Sequence, residues 1–568
     1  MTATALRTPS QLIVDRLLAH DVDLFFGLDG DHVVPLFNAL AEAPQLRPIT
    51  VRHENNAAIA AEIYARLTGR VGVCITTAGP GALNAIAGIG GAYAAGVPVV
   101  HISGGVQQDA PKEAFHGVDD VDVLKRAFEP VTKWSERIED PRDIPAAIDR
   151  AFAIAMSGRP GPVHVEVAIS ALQMDPVEAA AGDRHSIEFG APSEYGDLRP
   201  LIERINSAGS IAIVAGKGAW WPVVSKQLVR LAERLGAPVA HTWDGQAAMP
   251  TVHPLSIGPW GPSTGSHPLA AQAIAGADLV LGIGVRAGTG PAQELLKEAG
   301  DRALLINATD GEEEGFNVGS LGALVAALDA LAEGCEPNEA SAATLARCAR
   351  AQQLLKRGLA IDLERHAAAR PWHIGLALDA LGKQMTPETV VIGEVSNVKL
   401  WMPLQLPIYT PLSHLQPGSW GAMGYAVPGA LAAGLVFPDR PVVAITGDTS
   451  FLMGSNDFST ICQLGLKVVI AVHNDGQIGM INNAMTTLFG RPYATEIGQF
   501  DYVKYAEAFG ARGIRVDDPA DLDAAWSEAL SAARSGPVLL ELMAGFEFPR
   551  PWPVSRLIAQ AEAEDVAS

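Results

Sequence analysis

The chain has 568 residues, 48% hydrophobic and 18% charged, so it can fill large cores and is not globally disordered. Its formal net charge of −22 at pH 7 excludes a general nucleic-acid binder or a protein drawn to an anionic membrane surface. Four cysteines (Cys74, Cys335, Cys348, Cys462) with no CxxC exclude a zinc or disulfide framework, and 57 Gly with 39 Pro stay far below collagen-like levels. The opening stretch MTATALRTPSQLIVDRLLAH lacks an apolar h-region, and no apolar run reaches about 18 residues, so neither a signal peptide nor a membrane span is expected. A large cytoplasmic α/β protein, a class made up mostly of enzymes, is what remains.

In chain order, FFGLDGDHVVPLF reads as a strand and then a loop carrying Asp31 and His32. RPITV is a strand, and RHENNAAIAAEIYARLTG (52–69) a helix. Ala57, Ala60, Ala61 and Tyr64 recur there at spacings of three and four and give it a small-residue face for close packing. Glu54 precedes this helix, where an acid complements the dipole. VGVCITT is a buried strand, AGPGALNAIAGIGGAYAAG a glycine-rich turn and a helix, and PVVHISGG a further strand. AFHGVDDVDVLKRAF is a loop with Phe115 and His116; an imidazole titrating near neutrality can protonate an intermediate or orient a carbonyl.

Polar stretches rich in Ala, Gly and Pro at 174–197 and 332–344 read as linkers. They leave three blocks, 1–178, 192–332 and 360–550. SIAIVAGKG, DLVLGIG and ALLINAT are strands of the second block; TVVIGEVS, PVVAITGD, KVVIAVHND and PVLLELMAG belong to the third. Strands apolar throughout and separated by helices predict an α/β fold of three doubly wound parallel sheets, each covered on both faces. Neither glycine cluster of the middle block is a GxGxxG opening a helix, so the dinucleotide fingerprint fails. FGRPYATEIGQFDY (489–502) is expected as a flexible segment over a pocket, with Glu496 an acid–base candidate and Arg491 a partner for a carboxylate or phosphate. The tail after Pro553 is a short helix or a frayed end.

PVVAITGDTSFLMGSNDFSTICQLGLKVVIAVHNDGQIGM carries the most information. Asp448 and Asn474 each follow a buried strand, 26 residues apart, and so stand at the carboxyl ends of a parallel sheet, where ligands bind. A carboxylate, an amide oxygen and the Gly476 carbonyl are hard oxygen donors suited to Mg²⁺. The amides of Thr449 and Ser450 open a helix and can meet phosphates.

This segment resembles the diphosphate-binding motif of thiamine diphosphate (ThDP) enzymes, GDG, a spacer and NN. Thr449 replaces the second Gly and His473 the first Asn, while Asp448 and Asn474 are intact. HNDG followed by FDYVKYAEAFGARG looks most like acetolactate synthases and their relatives. RHE…YAR.TG with TTAGPGALN resembles the pyrimidine-binding domain of the same family. The resemblance implies ThDP and Mg²⁺ as cofactors. It places Glu54, Pro80, Asn84, Ser396, Asn397, Gly421, Met423, Gly447, Asp448, Thr449, Ser450, Asn474, Gly476, Gln477 and Ile478 against ThDP, with Asp448, Asn474 and Gly476 on the metal. Met423 takes the position of the bulky apolar residue that bends the cofactor. Glu54 takes that of the glutamate bonded to the aminopyrimidine nitrogen, whose proton exchange leads to loss of the thiazolium C2 proton.

Glu54, His116 and Asp31 are the implied catalytic residues. Asp31 matches a catalytic aspartate of related decarboxylases, a position where acetolactate synthases generally lack an acid. His32, Phe115, Arg491 and Glu496 complete the substrate candidates. Relatives use the central domain for FAD, for ADP or for neither, and a purely structural role is expected here. In the family the two motifs come from different subunits, so a homodimer or homotetramer is implied. The implied reaction makes or breaks a C–C bond beside a carbonyl, on a 2-oxo acid in an acetolactate synthase-like or decarboxylase-like enzyme. The alternative is a benzaldehyde lyase-like enzyme splitting 2-hydroxy ketones or 2-hydroxyacyl-CoA thioesters. Retention of Glu54 argues against a non-catalytic nucleotide-binding protein on the same fold.

Overall fold

The structure, a computed structural model, describes residues 5–179, 195–263, 265–309, 315–545 and 553–567. Three parallel sheets form, as expected from the uniformly apolar strands. They are distributed over two compact units: Met1–Ala191 with Pro417–Val436 and Gly454–Leu464, and Pro192–Gln416 with Phe437–Met453 and Gly465–Ser568.

The first unit contains β1 (Ala5–Arg7), β2 (Leu24–Gly27), β3 (Arg47–Thr50), β4 (Gly72–Thr76), β5 (Val99–Gly105), β6 (Ser135–Ile138), β7 (Val163–Ala168) and β8 (Val177–Ala179). Six of them make a parallel sheet in the order β3-β2-β4-β5-β7-β6. Every residue of β4 and β5 is buried, which is why both read as continuous apolar runs. Helices Pro9–Ala19 and Ile144–Met156 bring Leu12, Ile13, Leu17, Ile148 and Phe152 into one core with Val73, Ile75, Val100 and Val165. β8 pairs antiparallel with β1, so the start of the expected linker at 174–197 is a strand; its residues 180–194 lie outside the described residues.

Helix Glu54–Thr68 is the axis of this unit. It starts where extended His53 accepts the Asn55 amide on its ring nitrogen at 3.1 Å, and Gly69 ends it with a left-handed φ of 70°. Ala57, Ala58, Ala60 and Ala61 are fully buried and let β4, helix Ile86–Ala95 and helix Ala426–Val436 approach closely. Burial on nearly all sides obliges its polar groups to bond within the protein. Asn56 donates to Asp457 Oδ2 at 2.7 Å, Tyr425 donates its hydroxyl to Glu62 Oε2 at 2.6 Å, and Arg66 donates to Tyr425 Oη at 2.7 Å. The single helix expected over the glycine-rich stretch is two, Pro80–Asn84 and Ile86–Ala95.

The second unit holds β9 (Ile211–Ala215), β10 (Val239–His241), β11 (Ser256–Pro259), β12 (Leu279–Ile283), β13 (Ala303–Ala308) and β14 (Phe316–Val318), parallel in the order β11-β10-β9-β12-β13-β14. It also holds β15 (Val390–Ile392), β16 (Val442–Gly447), β17 (Val468–His473), β18 (Arg512–Val516) and β19 (Val538–Leu542), parallel in the order β15-β16-β17-β19-β18.

The second expected linker, 332–344, contains a seven-residue non-helical connection, 335–341, between two helices. Helix Leu321–Gly334 runs through its start, and a 25-residue helix, Ala342–His366, begins inside it. Ser341 caps that helix, its Oγ accepting the Thr344 amide at 3.1 Å. Cys348 and Ala351 pack into the core of the β9–β14 sheet, while Leu354 and Ile361 pack with Val554, Ile558 and Ala561. The tail is therefore a packed helix, Val554–Ala567. The polar stretch 332–344 thus joins two helix ends, most of its residues facing solvent.

Candidate active site

In the first unit, the carboxyl ends of β2, β3, β4 and β5 carry His32, Glu54, the 77–84 turn and the 106–117 loop. Glu54 is only 8% exposed, and its Oε2 accepts the Asn84 side-chain amide at 3.0 Å. A Cβ on Gly81 would lie 3.2 Å from Glu54 Oε1, so helix Pro80–Asn84 sits against the carboxyl group. Burial, and then the Glu54 charge, push the neighbouring Cys74 thiol far up. Three sequence candidates, Glu54, Pro80 and Asn84, are thus brought together.

The loop after β5 crosses the turn after β4 so tightly that a Cβ on Gly79 (φ 56°) would meet the His116 carbonyl at 2.2 Å. His116 itself has φ 60°, a left-handed conformation that costs a non-glycine residue about 1–2 kcal/mol. Its ring stacks on Phe115, with centroids 4.0 Å apart, and on His32 at 5.2 Å. His32 is buried; desolvation, then the neighbouring His116, lower its pKa, while Asp31 opposes them. Nδ1 of both histidines is buried without a hydrogen-bond partner among the described residues. Asp31, exposed on the turn Asp31–Val33, and exposed Phe115 complete the cluster. Gly421 (φ 67°) and half-buried Met423 lie on the loop before helix Ala426–Val436, and Trp420 of that loop covers Gly90.

In the second unit, Gly447 ends β16 and Asp448 opens helix Asp448–Gly454. A Cβ on Gly447 would stand 3.1 Å from Ser396 Cβ; Ser396 caps helix Asn397–Gln405 through its Oγ, and Asn397 is buried. Asp448 Oδ1 accepts the Thr449 amide at 2.6 Å and Oδ2 the Gly476 amide at 2.7 Å. Thr449 Oγ1 donates to the Gln477 carbonyl at 3.3 Å and Ser450 Oγ to the Val395 carbonyl at 3.0 Å. Asn474 donates through Nδ2 to Glu541 Oε1 at 2.7 Å and to the Phe500 carbonyl at 3.1 Å; its Oδ1 is buried and takes no hydrogen bond among the described residues.

This donor set fits a divalent cation. Burial, then the charge of Asp475, push the Asp448 carboxyl upward, and burial pushes Asp475 up to about 7, so an added cation relieves an existing electrostatic cost. Among the described residues no group of three His, Cys, Asp or Glu side chains is placed to hold a metal; the fitting donors here are a carboxylate, the Asn474 amide oxygen and the Gly476 carbonyl. That carbonyl already accepts the Ile497 amide at 3.0 Å, which leaves one lone pair.

Within the 489–502 segment, residues 489–494 are exposed and residues 495–497 are tied to the turn after β17. The Ile478 amide donates to the Thr495 carbonyl at 2.7 Å and Gln477 forms a bridge with Glu496, so residues 495–497 ladder onto 476–478. Arg491 and Glu496 are exposed. Sequence reasoning missed Glu541. The signal was a lone acid between leucines in an otherwise apolar strand, which needs a buried partner.

Family profiles match all three blocks. The thiamine pyrophosphate enzyme N-terminal TPP binding domain covers residues 7–123, the central domain 198–330 and the C-terminal TPP binding domain 394–542. The chain belongs to the thiamine pyrophosphate enzyme family: it is a ThDP-dependent enzyme. It is similar to a probable acetolactate synthase large subunit of Methanococcus aeolicus, 27% identical over 92% of this chain and 90% of that protein. It is similar also to the acetolactate synthase large subunits of Corynebacterium glutamicum (29%, covering 96% and 88%) and Haemophilus influenzae (29%, covering 92% of each). Among the described residues no helix is long and apolar enough to cross a membrane.

Proposed function

We propose that this enzyme uses ThDP and Mg²⁺ to make or break the C–C bond beside a carbonyl, acting on 2-oxo acids as an acetolactate synthase-like or decarboxylase-like carboligase. The observation that carries the reading is the buried Glu54 carboxyl held by Asn84 at the strand ends, in a chain whose relatives over nine-tenths of its length are acetolactate synthases. ThDP supplies an electron sink for the carbanion left when the bond breaks.

The chain's own residues do the rest. Asn84 occupies Glu54 Oε2 and leaves Oε1 to exchange a proton with the aminopyrimidine. Asp448, Asn474 Oδ1 and the Gly476 carbonyl would hold Mg²⁺, and the Ser450 amide would face the diphosphate; the Thr449 amide, expected from the sequence to do the same, is taken by Asp448 Oδ1. His116, half-buried and stacked between His32 and Phe115, is the acid–base group offered to substrate.

The β9–β14 sheet serves as structure. At its switch point the Gly218 amide donates to the Gly284 carbonyl at 2.9 Å, and a Cβ on Gly216 would lie 2.3 Å from that oxygen, so the two loops close backbone to backbone. Division into blocks 1–178, 192–332 and 360–550 is part of this reading, as is cytoplasmic residence. A homodimer or homotetramer accords with Leu83, Tyr93 and Trp420, large apolar side chains left exposed in the first unit.

The Asp31–His32–His116 cluster favours a second reading, a lyase of 2-hydroxy ketones or 2-hydroxyacyl-CoA thioesters, because an acid and two imidazoles suit proton transfer at a hydroxyl. The test is a parallel assay of the purified enzyme with ThDP and Mg²⁺ on pyruvate, aromatic 2-oxo acids, 2-hydroxy ketones and 2-hydroxyacyl-CoA. Acetolactate from pyruvate supports the first reading and removes the second. Cleavage of a 2-hydroxy ketone or thioester with no turnover of any 2-oxo acid overturns the first.

A further inference from the structure

Glu541 is wholly buried in β19, and its Oε1 accepts Asn474 Nδ2 at 2.7 Å. The two ends of a carboxamide are chemically opposite: the nitrogen donates and only the oxygen can face a cation. The torsion that swaps them is soft, so an unrestrained Asn474 samples both orientations. Two acceptors, Glu541 Oε1 and the Phe500 carbonyl, converge on Nδ2, while Oδ1 is buried and takes no hydrogen bond among the described residues. Turning the amide over would set its oxygen against a carboxylate. We propose that Glu541 is a positioning residue for the cation site, fixing the Asn474 amide with its oxygen toward the metal. This inference rests on the Mg²⁺–ThDP reading above. A merely structural role would instead have Glu541 serve Arg515, whose Nη1 lies 3.7 Å from Oε1.

The two roles separate in a double-mutant cycle on the full chain. Mn²⁺ is titrated in the presence of ThDP and the free ion is followed by electron paramagnetic resonance, with far-ultraviolet circular dichroism checking the fold. Glu541→Leu removes the acceptor and weakens Mn²⁺ binding by about 10–100-fold, the usual effect of losing an outer partner of a metal ligand. Glu541→Gln keeps a carbonyl acceptor and loses far less. N474D alone sets two carboxylates against each other. N474D/E541Q lets the new amide donate to the new carboxylate, so the effect of E541Q on Mn²⁺ binding in that background differs from its effect in the wild type. If Glu541→Leu fails to fold, this difference decides. A wild-type chain that binds no Mn²⁺ with ThDP overturns the magnesium reading and the inference together. Wild-type binding with Glu541→Leu of equal affinity, or E541Q acting alike in both backgrounds, overturns the positioning role alone.

Discussion

Asn84 donates its side-chain amide to Oε2 of Glu54 across 3.0 Å, and both residues follow strands of the same sheet. One carboxylate oxygen is thereby committed and the other left for chemistry. Glu54→Gln is expected to slow hydrogen–deuterium exchange at the thiazolium C2 of added ThDP by about 10²–10⁴-fold, the range for removing a general acid–base group. Cofactor affinity should change little, and Asn84→Ala should fall between the two. Exchange at the wild-type rate in Glu54→Gln, read by proton magnetic resonance, would refute the assignment.

Chelation should release the cofactor. On the Mg²⁺–ThDP reading proposed above, the diphosphate end of this acidic chain would rely on a divalent cation, since the Asp448 carboxyl lies against the turn it anchors. Dialysis against EDTA is expected to abolish ThDP binding measured by calorimetry, and Mg²⁺ to restore it. Asp448→Ala should not recover with Mg²⁺. Undiminished binding in EDTA would count against the metal.

Two histidines outside the site make stability acid-sensitive. His101 and His164 are fully buried, bonded to the Thr76, Ser103 and Ser135 hydroxyls. Burial lowers His101 to about 3 and His164 well below its ordinary value. The folded protein therefore binds fewer protons than the unfolded chain below about pH 6.5, so their contribution is intact above that value and declines as pH falls. Between pH 7 and pH 5 each imidazole should cost roughly 2 kcal/mol of unfolding free energy. Denaturant titrations at both values should show this, and His101→Asn should show a shallower fall.

Gly90 and Gly91 are adjacent on one helix and should respond oppositely to alanine. A Cβ on Gly90 would come within 2.8 Å of the Trp420 ring, whereas one on Gly91 meets it at an ordinary 3.7 Å. Gly91→Ala should be neutral or stabilise by up to about 1 kcal/mol through helix propensity. Gly90→Ala must displace Trp420 and with it the loop carrying Met423. Greater quenching of tryptophan fluorescence by acrylamide, together with weaker ThDP binding, is expected for Gly90→Ala alone.

Much of this was legible in the sequence because apolar strands and strand-end polar residues are local signals. VGVCITT, PVVHISGG and PVVAITGD needed no tertiary knowledge to be read as buried parallel strands, and the Asp448–Asn474 spacing gave the donor set. Partnerships between distant residues were not legible. Nothing in DGDH announces that His32 will stack on His116, because that contact depends on two loops crossing over glycines. The role of Glu541 depends on β17 and β19 lying side by side. The helix at 342–366 escaped because its start is polar and its apolar face is completed by residues some 200 positions later.

That last contact bears on how the polypeptide is made. Leu354 and Ile361 are covered by Val554, Ile558 and Ala561, and Arg350 meets Asp565 across 215 positions of sequence. Until residues 554–567 leave the ribosome, the part of the long helix that carries Leu354 and Ile361 has no cover from them. A nascent chain of this kind is a natural client for a holding chaperone, and truncation before residue 554 would withhold that cover permanently.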